Sequence, residues 1–190
     1  MEYQIGFLEA LNVMYITGKF FATALLIFFE IIPCIFSVFL YRIVASRIAK
    51  IFSIFLFFLF ICLFLFIGLI PVCNSGWQID GNTFHINAYL SSDDVQISGM
   101  EIGFVDFESE WEPVWRESGA GVPGLGTGRY RLKNDKKALV FNHYYQRKLL
   151  LISANDKYYL IGHPGIKQLY DELIRLGAHK RSFANNEVVK

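Results

Sequence analysis

Residues 157–177 read KYYLIGHPGIKQLYDELIRLG. A β-rich run from Lys157 to Gly162 gives way to Pro164, which suits the first turn of a helix, and Gly177 suits the position just past its end. Between them Ile166, Leu169, Tyr170, Leu173 and Leu176 recur at helical spacing and form one apolar stripe. Lys167, Asp171 and Arg175 stand at i,i+4 intervals on the outer face, where opposite charges support a helix. Such a stripe needs a sheet to bury it, so the upstream sequence should supply strands.

It does. Asn82–Leu90, Val95–Ser98, Glu101–Phe107, Thr127–Leu132, Ala138–Tyr145, Lys148–Ala154 and Lys157–Gly162 read as short strands. Asp80-Gly81, Asn134-Asp135, Gln146-Arg147 and Asn155-Asp156 punctuate them with turn chemistry. Consecutive strands on short turns predict antiparallel pairing, and six or seven of them predict a sandwich or small barrel. The soluble domain is placed at 77–178, with 179–190 a polar, flexible tail.

Arg116, then GAGVPGLGTGRY (Gly119–Tyr130), YYLIG (Tyr158–Gly162) and HPGIKQLYDEL leading into the last helix carry a resemblance. Together, over roughly residues 84–176, they resemble the bacterial pleckstrin-homology-like (PH-like) domains of small membrane proteins. The resemblance implies a PH-like barrel of two roughly orthogonal antiparallel sheets capped by the C-terminal helix. It also implies a binding or scaffolding role, and it brings no catalytic residues.

The glycines at 119, 121, 124, 126 and 128 invite a phosphate-loop reading. A phosphate loop needs Gly-Lys-Ser/Thr or a glycine turn opening a helix, so that backbone N–H groups face the anion. Here the glycines precede the strand-like RYRL, which favours a wide turn with positive φ angles. A candidate anion site remains at that turn: Arg116, Arg129 and Arg131 beside Gly124, Gly126 and Gly128, where guanidinium groups could hold a phosphate or carboxylate. Asp106, Glu108, Glu110 and Glu112 alternate as on one face of a strand, without the loop of a calcium site. His85, His143, His163 and His179 lack zinc spacing, and Ser98, Ser109 and Ser118 lack a nucleophile elbow. Trp111 and Trp115, flanking Pro113, read as core anchors, with an exposed partner patch as the other reading. No metal, cofactor or enzymatic activity is expected.

The chain before this domain is of another kind. Residues 20–41, FFATALLIFFEIIPCIFSVFLY, hold one ionisable group, Glu30; residues 51–72, IFSIFLFFLFICLFLFIGLIPV, hold none. A helix needs about 20 apolar residues to cross a ~30 Å hydrocarbon core, so 20–72 reads as a two-helix transmembrane hairpin. Its linker, RIVASRIAK, carries Arg42, Arg47 and Lys50, which by the positive-inside rule puts it in the cytoplasm and the domain outside. Glu30 is the intramembrane polar group, read as a neutral acid bonded within the hairpin near Pro33 or as a contact with another subunit. Residues 1–19 lack a cleavable signal's basic start and read as an interfacial amphipathic segment.

Composition agrees: 54% of the 190 residues are hydrophobic and 18% charged, against about 25% charged in ordinary soluble domains. The net charge of +1 argues against nucleic acid, which calls for a strongly basic surface. It hides a polarity: 73–115 carry eight acids and no Lys or Arg, and 116–190 carry fourteen bases and six acids. Cys34, Cys62 and Cys73 all fall in or beside the apolar segments, so the domain has no disulfide framework. These features predict a two-pass cell-membrane protein, its partners the lipid bilayer and another protein or an anionic headgroup, and the resemblance implies that it is bacterial. The expected function is a non-enzymatic membrane-anchored binding or scaffolding module. The alternative is an accessory subunit of a larger membrane complex with specificity in the hairpin.

Overall fold

A computed structural model describes residues 1–6, 8–10, 12, 35, 38–39, 41–42, 47–64, 73, 75–89, 91–122, 124–144 and 146–183. Among them two open sheets and a helix build the domain. The four-stranded sheet runs β1 (Glu2–Gln4), β2 (Gly76–Asp80), β3 (Thr83–Ala88), β4 (Ser91–Gln96). The seven-stranded sheet contains β5 (Glu101–Asp106), β6 (Pro113–Val122), β7 (Leu125–Leu132), β8 (Lys137–His143), β9 (Lys148–Ala154), β10 (Lys157–Gly162) and β11 (His179–Lys180). Its order is β11-β5-β9-β10-β8-β7-β6. The expected two-sheet, helix-capped β domain is present; the described strands form open sheets with free edges rather than a closed barrel.

The expectation of purely antiparallel sheets is corrected in two places. β10 lies parallel to β8, Tyr158 opposite Ala138, and antiparallel to β9; β11 lies parallel to β5. The β9–β10 hairpin turns at Asn155 and Asp156, both at positive φ (51° and 59°), the geometry that matches strand twist. That tight turn inserts β10 between β8 and β9. The burial pattern explains the position: β8, β9 and β10 are near-continuous apolar runs, so both faces must be covered.

One core lies between the two sheets and under helix α2 (Ile166–Arg175; α1 is Arg47–Phe64), with Phe84, Ile86, Phe141, Leu150, Ile152 and Ile161 buried. From the predicted stripe, Leu169 and Leu173 are fully buried, while Ile166, Tyr170 and Leu176 pack partly against the same core. Gly177 adopts φ 105° and its N–H bonds the Ile174 carbonyl at 3.0 Å, the expected C-terminal stop. On the surface Arg175 pairs with Glu172 rather than Asp171 (2.6 Å). The other face of the large sheet buries Val140, Leu149, Leu151 and Leu160 under Trp111 and Phe183.

Both ends of the domain reach further than predicted. Residues 179–183 were expected to fray, yet β11 pairs with β5 and Phe183 is buried, its carbonyl accepting from Trp111 Nε1 at 3.2 Å. Residues 184–190 lie outside the described residues. At the other end, Glu2–Gln4 was expected in an interfacial segment but adds a strand to β2, with Glu2 opposite Gln78 and Gln4 opposite Gly76. Ile5 and Ala10 are then buried in the main core, because an apolar residue next to a sheet edge is better covered there than in the interface. The alternating acids do not share a strand face either: Asp106 ends β5, and 107–112 turn over the second core.

The membrane segments fall largely outside the described residues, Glu30 among them. The described part includes helix α1 (Arg47–Phe64), so the predicted linker is helical from Arg47. Among the described residues no helix is long and apolar enough to cross a membrane. The charge-free part of α1, from Ile51 to Phe64, rises about 21 Å at 1.5 Å per residue. Ile51, Phe52, Phe55 and Phe58 are exposed along it.

Replacing Ile5 by Ala removes a fully buried side chain immediately after β1, the strand that lies outside the domain predicted from sequence. Urea unfolding of the variant should show a loss of about 3 kcal/mol; an unchanged midpoint would mean that the N-terminal strand contributes nothing to the domain.

Candidate functional site

The glycine-rich stretch is not a wide turn. β6 and β7 pair along its whole length as a hairpin, with Gly119 opposite Gly128 and Gly121 opposite Gly126. Gly119 and Gly128 both take φ 131°, and a Cβ on either would run into the carbonyl of the facing strand. The two backbones therefore approach closely, and one face of the ribbon carries no side chains there. Arg116 lies flat over Gly121, and the Tyr130 hydroxyl reaches over Gly126. The glycines at 121 and 126 make room for those two side chains.

Register decides which predicted site residues meet. Directly opposed residues share a face. Trp115 faces Arg131 and Ser118 faces Arg129, whereas Arg116 faces Tyr130. Arg129 and Arg131 thus lie on one side of the ribbon and Arg116, with Gly126 and Gly128, on the other. Gly124, at φ 85°, belongs to the hairpin turn. A register shift between Arg116 and Ser118 bulges Glu117 outward, and its carboxylate takes Lys137 at 2.9 Å and Arg131 at 3.7 Å. These cations hold the Glu117 carboxyl below the usual range, Lys137 first. Arg116 and Arg129 are exposed and have no ion-pair partner among the described residues. Of the two tryptophans, Trp111 is the expected core anchor, with Lys136 Nζ 5.0 Å above its ring. Trp115 is 69% exposed.

Sequence reading missed a second constellation beneath the ribbon. Tyr3 of β1 stacks on His163 (centroids 4.6 Å apart, 15° between planes), and its hydroxyl bonds His143 Nδ1 and donates to Glu9 Oε1 at 3.2 Å. Thr127 donates to the Ser75 hydroxyl at 3.2 Å, fully buried. His143 and His163 are buried with no bond to Nε2, and His163 Nδ1 accepts from the Gly165 N–H at the start of α2. Burial, and then the neighbouring His143, lowers His163 to about 4; burial also lowers His143, against the opposing pull of Glu9. Tyr3 is raised by burial and by Glu9. Residues 3, 75, 143 and 163 are far apart in sequence, and no local spacing signals that they meet. Farther along, Asp93 joins the sheets: burial alone would raise its pKa, but hydrogen bonds from Lys157 (2.8 Å) and Tyr159 (3.0 Å) prevail and lower it.

This fold, two sheets closed by a C-terminal helix around a glycine-paired ribbon, is that of a pleckstrin-homology-like domain. The family model described as Bacterial PH domain matches residues 76–175, and the chain belongs to that family. Comparison with the curated proteins and with the solved structures returns no match.

Two buried neutral histidines give the domain a defined acid sensitivity. With its pKa depressed in the folded state, His163 binds its proton more readily when unfolded, so stability falls as pH drops from about 6.5 towards 4. The loss should be on the order of 3 kcal/mol by urea unfolding. Asp93 titrates below this window. In His163→Gln the slope between pH 6.5 and 4 should shrink; an unaltered slope would exclude His163 as its source.

Proposed function

We propose that the chain is a non-enzymatic, membrane-anchored binding or scaffolding module. A two-pass apolar hairpin, 20–41 and 51–72, holds its PH domain at the bilayer surface. One observation carries the reading. The Ile5 N–H donates to the Ser75 carbonyl at 3.0 Å where β1 and β2 pair, and the chain stays on the domain through Ala10 and packs on the same core again at Cys73. Both apolar segments lie between those two contacts. A chain that departs from one core and comes back to it suits a hairpin through a bilayer. The exposed Ile51, Phe52, Phe55 and Phe58 of α1 are suited to lipid. Arg42, Arg47 and Lys50 in the linker favour a cytoplasmic turn and an extracytoplasmic domain.

The binding surface of this reading is the ribbon, whose uncommitted Arg116 and Arg129 suit an anionic group on another protein or a lipid headgroup. Absence of catalysis is part of the proposal. The buried histidines are spent on the Tyr3 hydroxyl and on the helix start, and among the described residues no serine, threonine or cysteine side chain bonds either imidazole as a nucleophile bonds its base. Glu30, a carboxyl within an apolar segment, favours a second reading, an accessory subunit whose hairpin recognises a larger membrane complex.

Carbonate extraction of membranes should leave the chain in the pellet, and protease added to spheroplasts should digest the domain, followed through a tag after Lys190. Release by carbonate would remove the anchor from the proposal, and protection until lysis would reverse its sidedness. Exchanging residues 20–72 for an unrelated hairpin separates the two readings: the binding module should keep its partners, whereas the accessory subunit should lose them.

A further inference from the structure

Among the described strands β6 is the outer edge of the seven-stranded sheet, ten residues long and paired with β7 alone. Edges of this length are normally shortened, covered, charged, or interrupted by proline or a bulge, because their unpaired N–H and C=O groups template another strand. β6 keeps these devices to its first half: Pro113, the charged Arg116 and Glu117, and register shifts before Ser118. Past the bulge at Glu117, Ser118 to Val122 pair in unbroken register, and Gly119 and Gly121 leave the backbone open to close approach. Beside that stretch, Val114 and Trp115 are 54% and 69% exposed, the exposed large hydrophobics among the described residues from 75 onward. The charge is one-sided. Glu117 is already held by Lys137 and Arg131, which leaves Arg129 on one face of the ribbon and Arg116 on the other without a counter-charge.

We infer that β6 receives an extended acidic segment of a partner protein as an added strand; the inference rests on the binding-module reading above. The partner's main chain pairs with the free edge. Because side chains alternate across a strand, neighbouring carboxylates meet Arg129 on one face and Arg116 on the other. Trp115 and Val114 cover apolar side chains at the end of the segment. What the edge offers favours protein over lipid: its unpaired main-chain N–H and C=O groups pair with an extended chain, which a headgroup does not supply.

The test uses the full chain in phosphatidylcholine nanodiscs and reads fluorescence anisotropy of labelled ten-residue peptides. The probes are a peptide in which pairs of glutamates alternate with pairs of valines, so that both faces of the strand carry carboxylates, its lysine–valine counterpart, and the glutamate peptide methylated on every backbone nitrogen. Saturable binding of the glutamate peptide alone is expected. Arg116→Glu with Arg129→Glu should weaken it at least tenfold, and Trp115→Ala several-fold, with near-UV circular dichroism unchanged. Equal binding of the lysine or methylated peptide, or binding unaltered in the arginine variant, overturns the proposal. So does an absence of peptide binding, whether or not added phosphatidylserine vesicles capture the nanodiscs; arginine-dependent capture would assign the patch to lipid. Peptide binding is read whether or not the anchor and its sidedness hold, which carbonate extraction and protease protection decide separately.

Discussion

The pairing of Glu2–Gln4 with Gly76–Gln78 is the constraint on which the arrangement of this chain depends. It is only three residues wide, and three residues of ladder are weak alone. Its strength comes from what it carries inward. Ile5 enters the main core, and Tyr3 lies against His163 and Trp77. Through Thr127 and Ser75 the same point is tied to the ribbon, and through His163 and Gly165 to the start of α2. A domain that begins by sequence at residue 76 therefore includes the first residues of the chain as well.

Much of the domain was legible because its signals are local. The helix could be read from its stripe and from Gly177, and the β9–β10 turn from Asn155-Asp156, since each depends on residues within a few positions. Pairing across the sheet was not legible in that way. β8 and β10 are parallel although only β9 lies between them, and the clue was their unbroken apolar character, the mark of a strand covered on both faces. β1 was missed because EYQ is too short and polar to read as a strand; only its long-range partner makes it one. Phe183 was missed for the same reason, the one aromatic residue in a mostly polar tail.

The candidate site shows a similar division. Sequence brought Arg116, Arg129 and Arg131 together with the glycines, and the structure does place them all on one hairpin. It separates them by face, which depends on register and on the bulge at Glu117, and neither is encoded in spacing. The glycines proved to serve the ribbon itself, giving two backbones and two long side chains room to lie close. The buried histidines were set aside for want of metal spacing, and their roles came from contacts with residues on distant strands.

The β1–β2 pairing also fixes how the domain would respond to force. Gln4 and Gly76 are opposite each other at the same end of an antiparallel pair, so tension that reaches them from the adjoining segments peels the ladder one rung at a time, from Gln4 towards Glu2. Peeling is the weaker geometry. Ile5 and Ala10, buried in the core, and the Thr127–Ser75 bond take the load first. The first strand is thus sheltered by its own neighbours, and it yields only after they have let go.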